Sequence, residues 1–214
     1  MRKILLPIML CMWVAFLGAC KRQAPCHISG TVPARFEGKR IFLVPLNDDR
    51  AEVVDSVVIR DGKFEFTSDT LMMAKILIDY HFRQGVQPLL VVVEPGEVAV
   101  VIDSISQATG TPLNDSLEQW KNRKMEHDWQ GQLYGRYYAD LKVGGNEKAA
   151  EEMKQEADSF HLAFKNYSRR LAANVKGTVL GDFLAGLYPR TYKKMMPDST
   201  MVEFDADTHE PIAK

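Results

Sequence analysis

Sulfur chemistry is nearly missing from this chain. Three cysteines, Cys11, Cys20 and Cys26, stand among 214 residues, and no two of them form a C-x-x-C pair. A dithiol oxidoreductase needs an attacking and a resolving sulfur, so that chemistry is excluded within the chain. Histidine is equally thin. His27, His81, His127, His161 and His209 show no H-x-x-x-H or H-E-x-x-H spacing. A zinc site wants three or four convergent ligands at defined spacings, so no metal and no cofactor is expected. No glycine-rich phosphate loop follows a strand. Neither sign of charge dominates: 27 basic against 28 acidic residues give a formal charge of −1. A nucleic-acid binder needs a basic field, and none is present. What the chain does have is 46% apolar and 26% charged residues, a globular composition. Its length suits one or two domains of about 100 residues.

The first twenty residues change this arithmetic. Arg2 and Lys3 form a positive n-region, and Ile4 to Phe16 an apolar stretch too short for a comfortable membrane span. Leu17-Gly18-Ala19-Cys20 follows, small residues before a cysteine, and is similar to the lipobox of bacterial lipoproteins. Residues 1–19 are expected to be a lipoprotein signal peptide, with Cys20 lipidated as the first residue of the mature chain. The alternative is an ordinary signal peptide whose cleavage site abuts a cysteine. Cleavage would leave 195 residues with 25 basic and 28 acidic groups. Cys26 is then the one possible free thiol, and no intramolecular disulfide is possible although the compartment would permit one. Residues 20–25 read as a tether. No acidic run follows Cys20, which favours a cell-envelope protein anchored in the outer membrane and facing the periplasm.

Residues 26–105 are strand-like, with short Val-, Ile- and Phe-rich runs between turn signals. The pattern predicts strands at His27–Val32, Lys39–Leu46, Glu52–Arg60, Lys63–Thr67, Met72–Phe82, Leu89–Val93 and Val98–Ile102. Asp61-Gly62 between two such runs predicts a hairpin with a type I′ turn. Met72, Ala74, Ile76, Ile78 and Tyr80 fall on one face of their strand. Seven short strands suggest an antiparallel β-sandwich-like domain or open barrel. After Gly110 the period changes. Thr111-Pro112 fits an N-cap followed by proline at the first helical position. Gly131 and Gly135 predict a kink or break in that helix. Asn146 fits the cap of a second helix whose stripe includes Met153, Phe160, Phe164 and Leu171. A third is predicted at Val179–Leu187. The fold class is therefore α+β, with a helical region over 111–192 and an irregular tail over 193–214.

The β-rich part resembles the domain of unknown function 4369 family. The residues that carry the resemblance are Ile28-Ser29-Gly30-Thr31-Val32, Gly38-Lys39-Arg40-Ile41-Phe42-Leu43, Val54-Asp55-Ser56-Val57, and Ile59-Arg60-Asp61-Gly62-Lys63-Phe64-Glu65-Phe66, with Val93-Glu94-Pro95-Gly96 ending the same layout. The resemblance implies a lipoprotein of Bacteroidetes-type bacteria. Many members carry a C-terminal thioredoxin-like domain of the AhpC/TSA or thiol:disulfide interchange type. Here no cysteine follows Cys26, so the family's redox activity is not carried over, and no catalytic residue has a matching position.

Other constellations read as structure. Asp55-Ser56 has no G-x-S-x-G elbow around it. Asp48-Asp49 and Asp205-x-Asp207 lack the ligand series of a calcium loop and suit turns. Arg169-Arg170 reads as a solvated pair near a helix C-terminus. Trp120, Trp129, Tyr134, Tyr137 and Tyr138 crowd the first helix and are candidates for partner binding, since aromatic faces are enriched at interfaces. The expected function is a lipid-anchored, non-enzymatic binding or scaffolding module of the cell envelope. It would be held to the membrane through Cys20 and dock a protein partner through its helices. The alternative is the membrane-proximal, non-catalytic half of a thiol:disulfide interchange or peroxiredoxin-like system, with Cys26 as the residue to test. A small-ligand site between sheet and helices is a third possibility that the sequence does not locate.

Overall fold

Short runs of alternating side chains dictate the first half of the molecule. The computed structural model describes residues 24–48, 50–78 and 88–212. The signal peptide, Cys20, Tyr80 and His81 lie outside these. Eight strands come first: β1 Cys26–Thr31, β2 Arg40–Pro45, β3 Asp55–Val58, β4 Lys63–Ser68, β5 Met72–Ile78, β6 Leu89–Val93, β7 Gly96–Val101 and β8 Gln107–Thr109. Three helices follow, α1 Pro112–Val143, α2 Glu147–Asn174 and α3 Val179–Leu187, and then β9 Thr191–Met195 and β10 Met201–Asp205.

The strands build two four-stranded sheets in the orders β4-β1-β7-β8 and β3-β2-β5-β6. Every other residue of β1 is buried, and β4 alternates in the same way through Phe64 and Phe66. Ile28, Phe64, Phe66, Val98 and Val100 of the first sheet meet Ile41, Leu43, Ala74, Ile76, Val91 and Val93 of the second in one core. The second sheet is covered on its other face too, where Met73 and Val92 pack with Leu117, Trp120, Phe164, Leu180 and Leu184 of the helices. That double burial is why β6 reads as a continuous apolar run rather than an alternating one. The molecule is thus α+β, a sandwich of two largely antiparallel sheets with helices laid on one of them.

Several expectations are corrected. β1 and β7 pair in parallel in the middle of the first sheet, because β1 enters the sandwich alongside the start of β7. Residues 51–53 form a turn of 3-10 helix before β3, so the predicted Glu52–Arg60 strand shrinks to four residues. The Asp61-Gly62 turn forms as expected, with φ of 52° and 65°. Its strands nevertheless separate, β3 pairing with β2 and β4 with β1. The hairpin is therefore a corner between sheets, and Glu37 holds it by accepting the N–H groups of Asp61 and Gly62 at 3.1 and 2.9 Å. Gly30, in the β1 part of the family resemblance, is required by contact: a Cβ there would lie 2.2 Å from Cζ of Phe64, its cross-strand partner.

The second half also departs from expectation. α1 runs through Gly131 and Gly135 unbroken, 32 residues in all, or about 48 Å. The packing of α2 along it outweighs two weak helix formers. Residues 191–205 are not irregular but form an antiparallel hairpin, β9 with β10. Its signal is hidden because both strands carry exposed Lys, Glu and Met residues, and its turn places Ser199 rather than a glycine at positive φ, 63°. Tyr192 and Phe204 stack across it at 5.5 Å. Arg169 reaches it from α2 with its side chain 7% exposed, so it is not a solvated charge. It donates to the carbonyls of Tyr188 and Pro189 and to both carboxylate oxygens of Asp207.

One junction fixes helices to sandwich. Asn114, fully buried on α1, accepts the Val92 N–H at 2.9 Å and donates to the Val92 carbonyl at 2.7 Å. Its amide treats the edge of β6 as a neighbouring strand would. Thr111 occupies the N-cap position without a side-chain cap bond. Glu94, just after β6, supplies the cap instead, accepting the N–H groups of Leu113 and Asn114 at 2.7 and 3.2 Å. Asn114→Ala strips both partners from a buried peptide group and is expected to cost about 2–4 kcal/mol. Urea denaturation followed by circular dichroism measures it. A loss no larger than that of an exposed control, Asn122→Ala, would show that the junction does not hold the fold.

Candidate functional site

The expected site residues do not gather in one place. Cys26 is the buried first residue of β1, 2% exposed, and carries a free thiol. Burial pushes that thiol up from its ordinary value, and the carboxylates of Glu94 and Glu97 push the same way against one backbone hydrogen bond from Glu94. An attacking thiolate needs the reverse environment. Cys20 lies outside the described residues.

The five aromatics of α1 divide by the helical period. Trp120 is core: it is 4% exposed, donates from Nε1 to Ser168 Oγ at 3.0 Å, and meets Phe164, Phe183 and Tyr188. Tyr134 lies between the helices and donates to Glu156 at 3.0 Å, which together with partial burial raises its pKa. Tyr138 lies at the margin of that seam, 36% exposed. Trp129 and Tyr137 remain open to solvent at 59% and 56%, with Met125 at 55% one turn before Trp129. Beyond Trp120 no residue of α1 is buried. From there the helix is an arm, braced by α2 and carrying apolar side chains on its outer face.

Within this arm is a pair that spacing arguments miss, because its members lie 34 residues apart on different helices. His161 Nδ1 is 2.8 Å from His127 Nε2. The His127 ring is stacked on Phe160 and on Phe164, with centroids 5.1 and 4.3 Å away. Its Nδ1 lies 3.3 Å from Asp128 Oδ1. Gly131 makes room for the partner: a Cβ there would stand 3.1 Å from Cε1 of His161. One proton between the two facing nitrogens makes this bond and two break it. Among the described residues no group of three or more His, Cys, Asp or Glu side chains is placed to hold a metal ion.

The remaining carboxylates serve turns and ion pairs. Asp205 accepts the N–H groups of Asp207 and Thr208. Ser56 is held by Asp55 and Arg40 on the outer surface of the second sheet. Asp48 pairs with Arg50 at 2.6 Å, and that guanidinium holds its carboxyl below the usual range.

A cleft of about 600 Å³ opens beside this last pair, between the end of the second sheet and α3. Leu46, Leu71, Met72, Val179, Phe183 and Leu187 line it, together with Asn47 and the carboxylates of Asp48 and Asp182. Its volume falls within the range of small-molecule sites, and its wall is mostly apolar with a few polar groups. The sequence held no signal for it, because its walls come from three separate segments.

The histidine pair makes the arm sensitive to acid. Burial lowers the pKa of His161 from its ordinary 6.5; His127 and Lys165 act in the same direction, and Asp158 and Asp128 oppose them. As the pH falls through 6.5, His161 binds its proton more readily in the unfolded chain than in the folded one, so its contribution to stability is present above that value and is lost below it. Melting temperature followed at 222 nm should drop between about pH 7.5 and about pH 5, and His161→Gln should flatten the dependence. An unchanged slope in the variant would remove the pair as its cause.

No curated protein and no solved structure matches the chain. One family model does, over residues 26–117. The match takes in β8 and continues to Leu117, so it includes Glu94 and Asn114, the two residues that join the sandwich to α1. Residues 26–117 of this chain match the model of the family described as Domain of unknown function (DUF4369).

Proposed function

We propose that this protein is a lipid-anchored binding or scaffolding module of the cell envelope, attached through Cys20 and without catalysis of its own. The observation that carries the binding role is the α1–α2 arm. It holds Trp129, Met125 and Tyr137 in solvent beyond the part of α1 that the sandwich buries. Large aromatic side chains with few torsions give contact area at low entropic cost, which is why they concentrate where partners dock. The family match over residues 26–117 supports the reading, since the resemblance implies a lipoprotein. No helix among the described residues is long and apolar enough to cross a membrane, so attachment by this reading rests on the modified cysteine. The buried, unactivated thiol of Cys26 gives the redox-linked alternative no support.

Two experiments test this reading. Cys20→Ser should release the protein from the membrane fraction or block its processing. A variant cut normally and still membrane-bound would end the lipoprotein reading. A photocrosslinking residue at position 129 should give discrete adducts in intact cells that the same residue at Lys148, an exposed position near the start of α2, does not give. Identical adduct patterns at both positions would leave the arm without a docking role.

A further inference from the structure

The cleft and the point where the chain enters the sandwich occupy the same end of the molecule. β1 begins at Cys26 opposite Ser68, the last residue of β4, and opposite Gly96, the first of β7. In the second sheet, Pro45 at the end of β2 pairs with Ala74, and Met72 at the start of β5 pairs with Val93 at the end of β6. Leu71 belongs to both neighbourhoods: it lines the cleft, and it lines a small hollow beside Ala24 and Cys26. Two residues that line the cleft, Leu71 and Leu187, are 45% and 48% exposed.

We propose that this cleft receives an acyl chain of a bilayer phospholipid and seats the end of the sandwich on the membrane surface. The inference rests on the lipid anchor at Cys20. Ala24 is the fourth residue after Cys20, and four residue steps reach at most about 14 Å. A lipid on Cys20 therefore keeps this end against the headgroups, and the apolar material nearest the cleft is the hydrocarbon of the bilayer itself. Leu46, Met72 and Phe183 offer it an apolar wall, two of them unbranched or aromatic and able to follow a flexible chain. The polar groups at its rim suit a zwitterionic head. Asp182 lines the space and can take an ammonium. Asp48 lines it too, and its partner Arg50, 2.6 Å away and with a side chain 72% exposed, stands outside the lining where its remaining N–H groups can take a phosphate.

The test uses the full chain, exported and processed in cells and reconstituted in vesicles of phosphatidylethanolamine and phosphatidylglycerol with brominated acyl chains. Leu71→Trp and Leu187→Trp place a reporter at the cleft on exposed positions. Ile105→Trp, 65% exposed after the far end of β7, is the control. The two cleft reporters should lose most of their emission over the wild-type background, and the control should keep it. Gly186→Phe fills the cleft from a position where a Cβ meets nothing within 4 Å, and in the Leu71→Trp protein it should restore the emission. Protein that floats with the vesicles but shows no quenching at the cleft, equal quenching at Ile105→Trp, or quenching that survives Gly186→Phe overturns the proposal and leaves the anchor standing. Protein that does not float overturns the anchor and this inference with it.

Discussion

A single side-chain amide organises the molecule. β6 is the last strand of its sheet, and the outward N–H and C=O of Val92 would be unpaired there, inside a region where Val92 is fully buried. An unpaired peptide group in such a place costs more than most single contacts return. Asn114 meets both atoms at once, and its amide also donates to Thr111 at 2.8 Å. The geometry works only if α1 begins where it does. Glu94 fixes that start by accepting two of the first free N–H groups of the helix. The edge of the sheet and the start of the helix are thus mutually completed. The position of α2 and α3 follows, because both pack on α1 or on the sheet face it covers.

This explains what was legible in the residues and what was not. Local rules found the parts they govern. Leu89–Val93 and Val179–Leu187 stand where the pattern placed them. Asn146 caps α2 by accepting the Ala149 N–H, and Asp61-Gly62 makes its turn. The misses are non-local. The sheet that receives β4 depends on β1, more than thirty residues earlier. The parallel β1–β7 pair is invisible to any window of neighbouring residues. Thr111 matched a cap by type, yet the acceptor comes from Glu94, with β7 and β8 between them in the chain. The β9–β10 ribbon has almost no apolar periodicity, since its support is the side chain of Arg169 reaching from α2.

The candidate sites follow the same division. Aromatic density on α1 was readable, but the period alone could not say which ring faces α2 and which faces water. Only the docking of α1 decides that Trp120 is core and Trp129 exposed. His127 and His161 carry no mutual spacing, because their meeting is a property of two antiparallel helices in register. Cys26 was conspicuous as a lone sulfur, and its position as the first buried residue of β1 turns it into packing material. In each case chemistry was visible in residue type, and its availability was set by burial.

The cleft and the arm are not separate attachments. Phe183 lines the cleft and meets the ring of Trp120 at 6.1 Å. Trp120 meets Phe164 at 6.5 Å, and Phe164 stacks on His127 at 4.3 Å. One aromatic row thus runs from the wall of the cleft into the base of the arm. Packed interiors do not deform continuously, so any movement of α3 that widens the cleft must find Trp120 another arrangement. Contiguity is not coupling, which would need α3 to have two stable positions. The rigid alternative has its own consequence. With Trp120 tied to Ser168 by its indole N–H and α1 tied to β6 through Asn114, the arm keeps a fixed direction relative to the end of the sandwich where the chain enters. A partner bound at Trp129 would then be held at a set angle to whatever surface that end rests on.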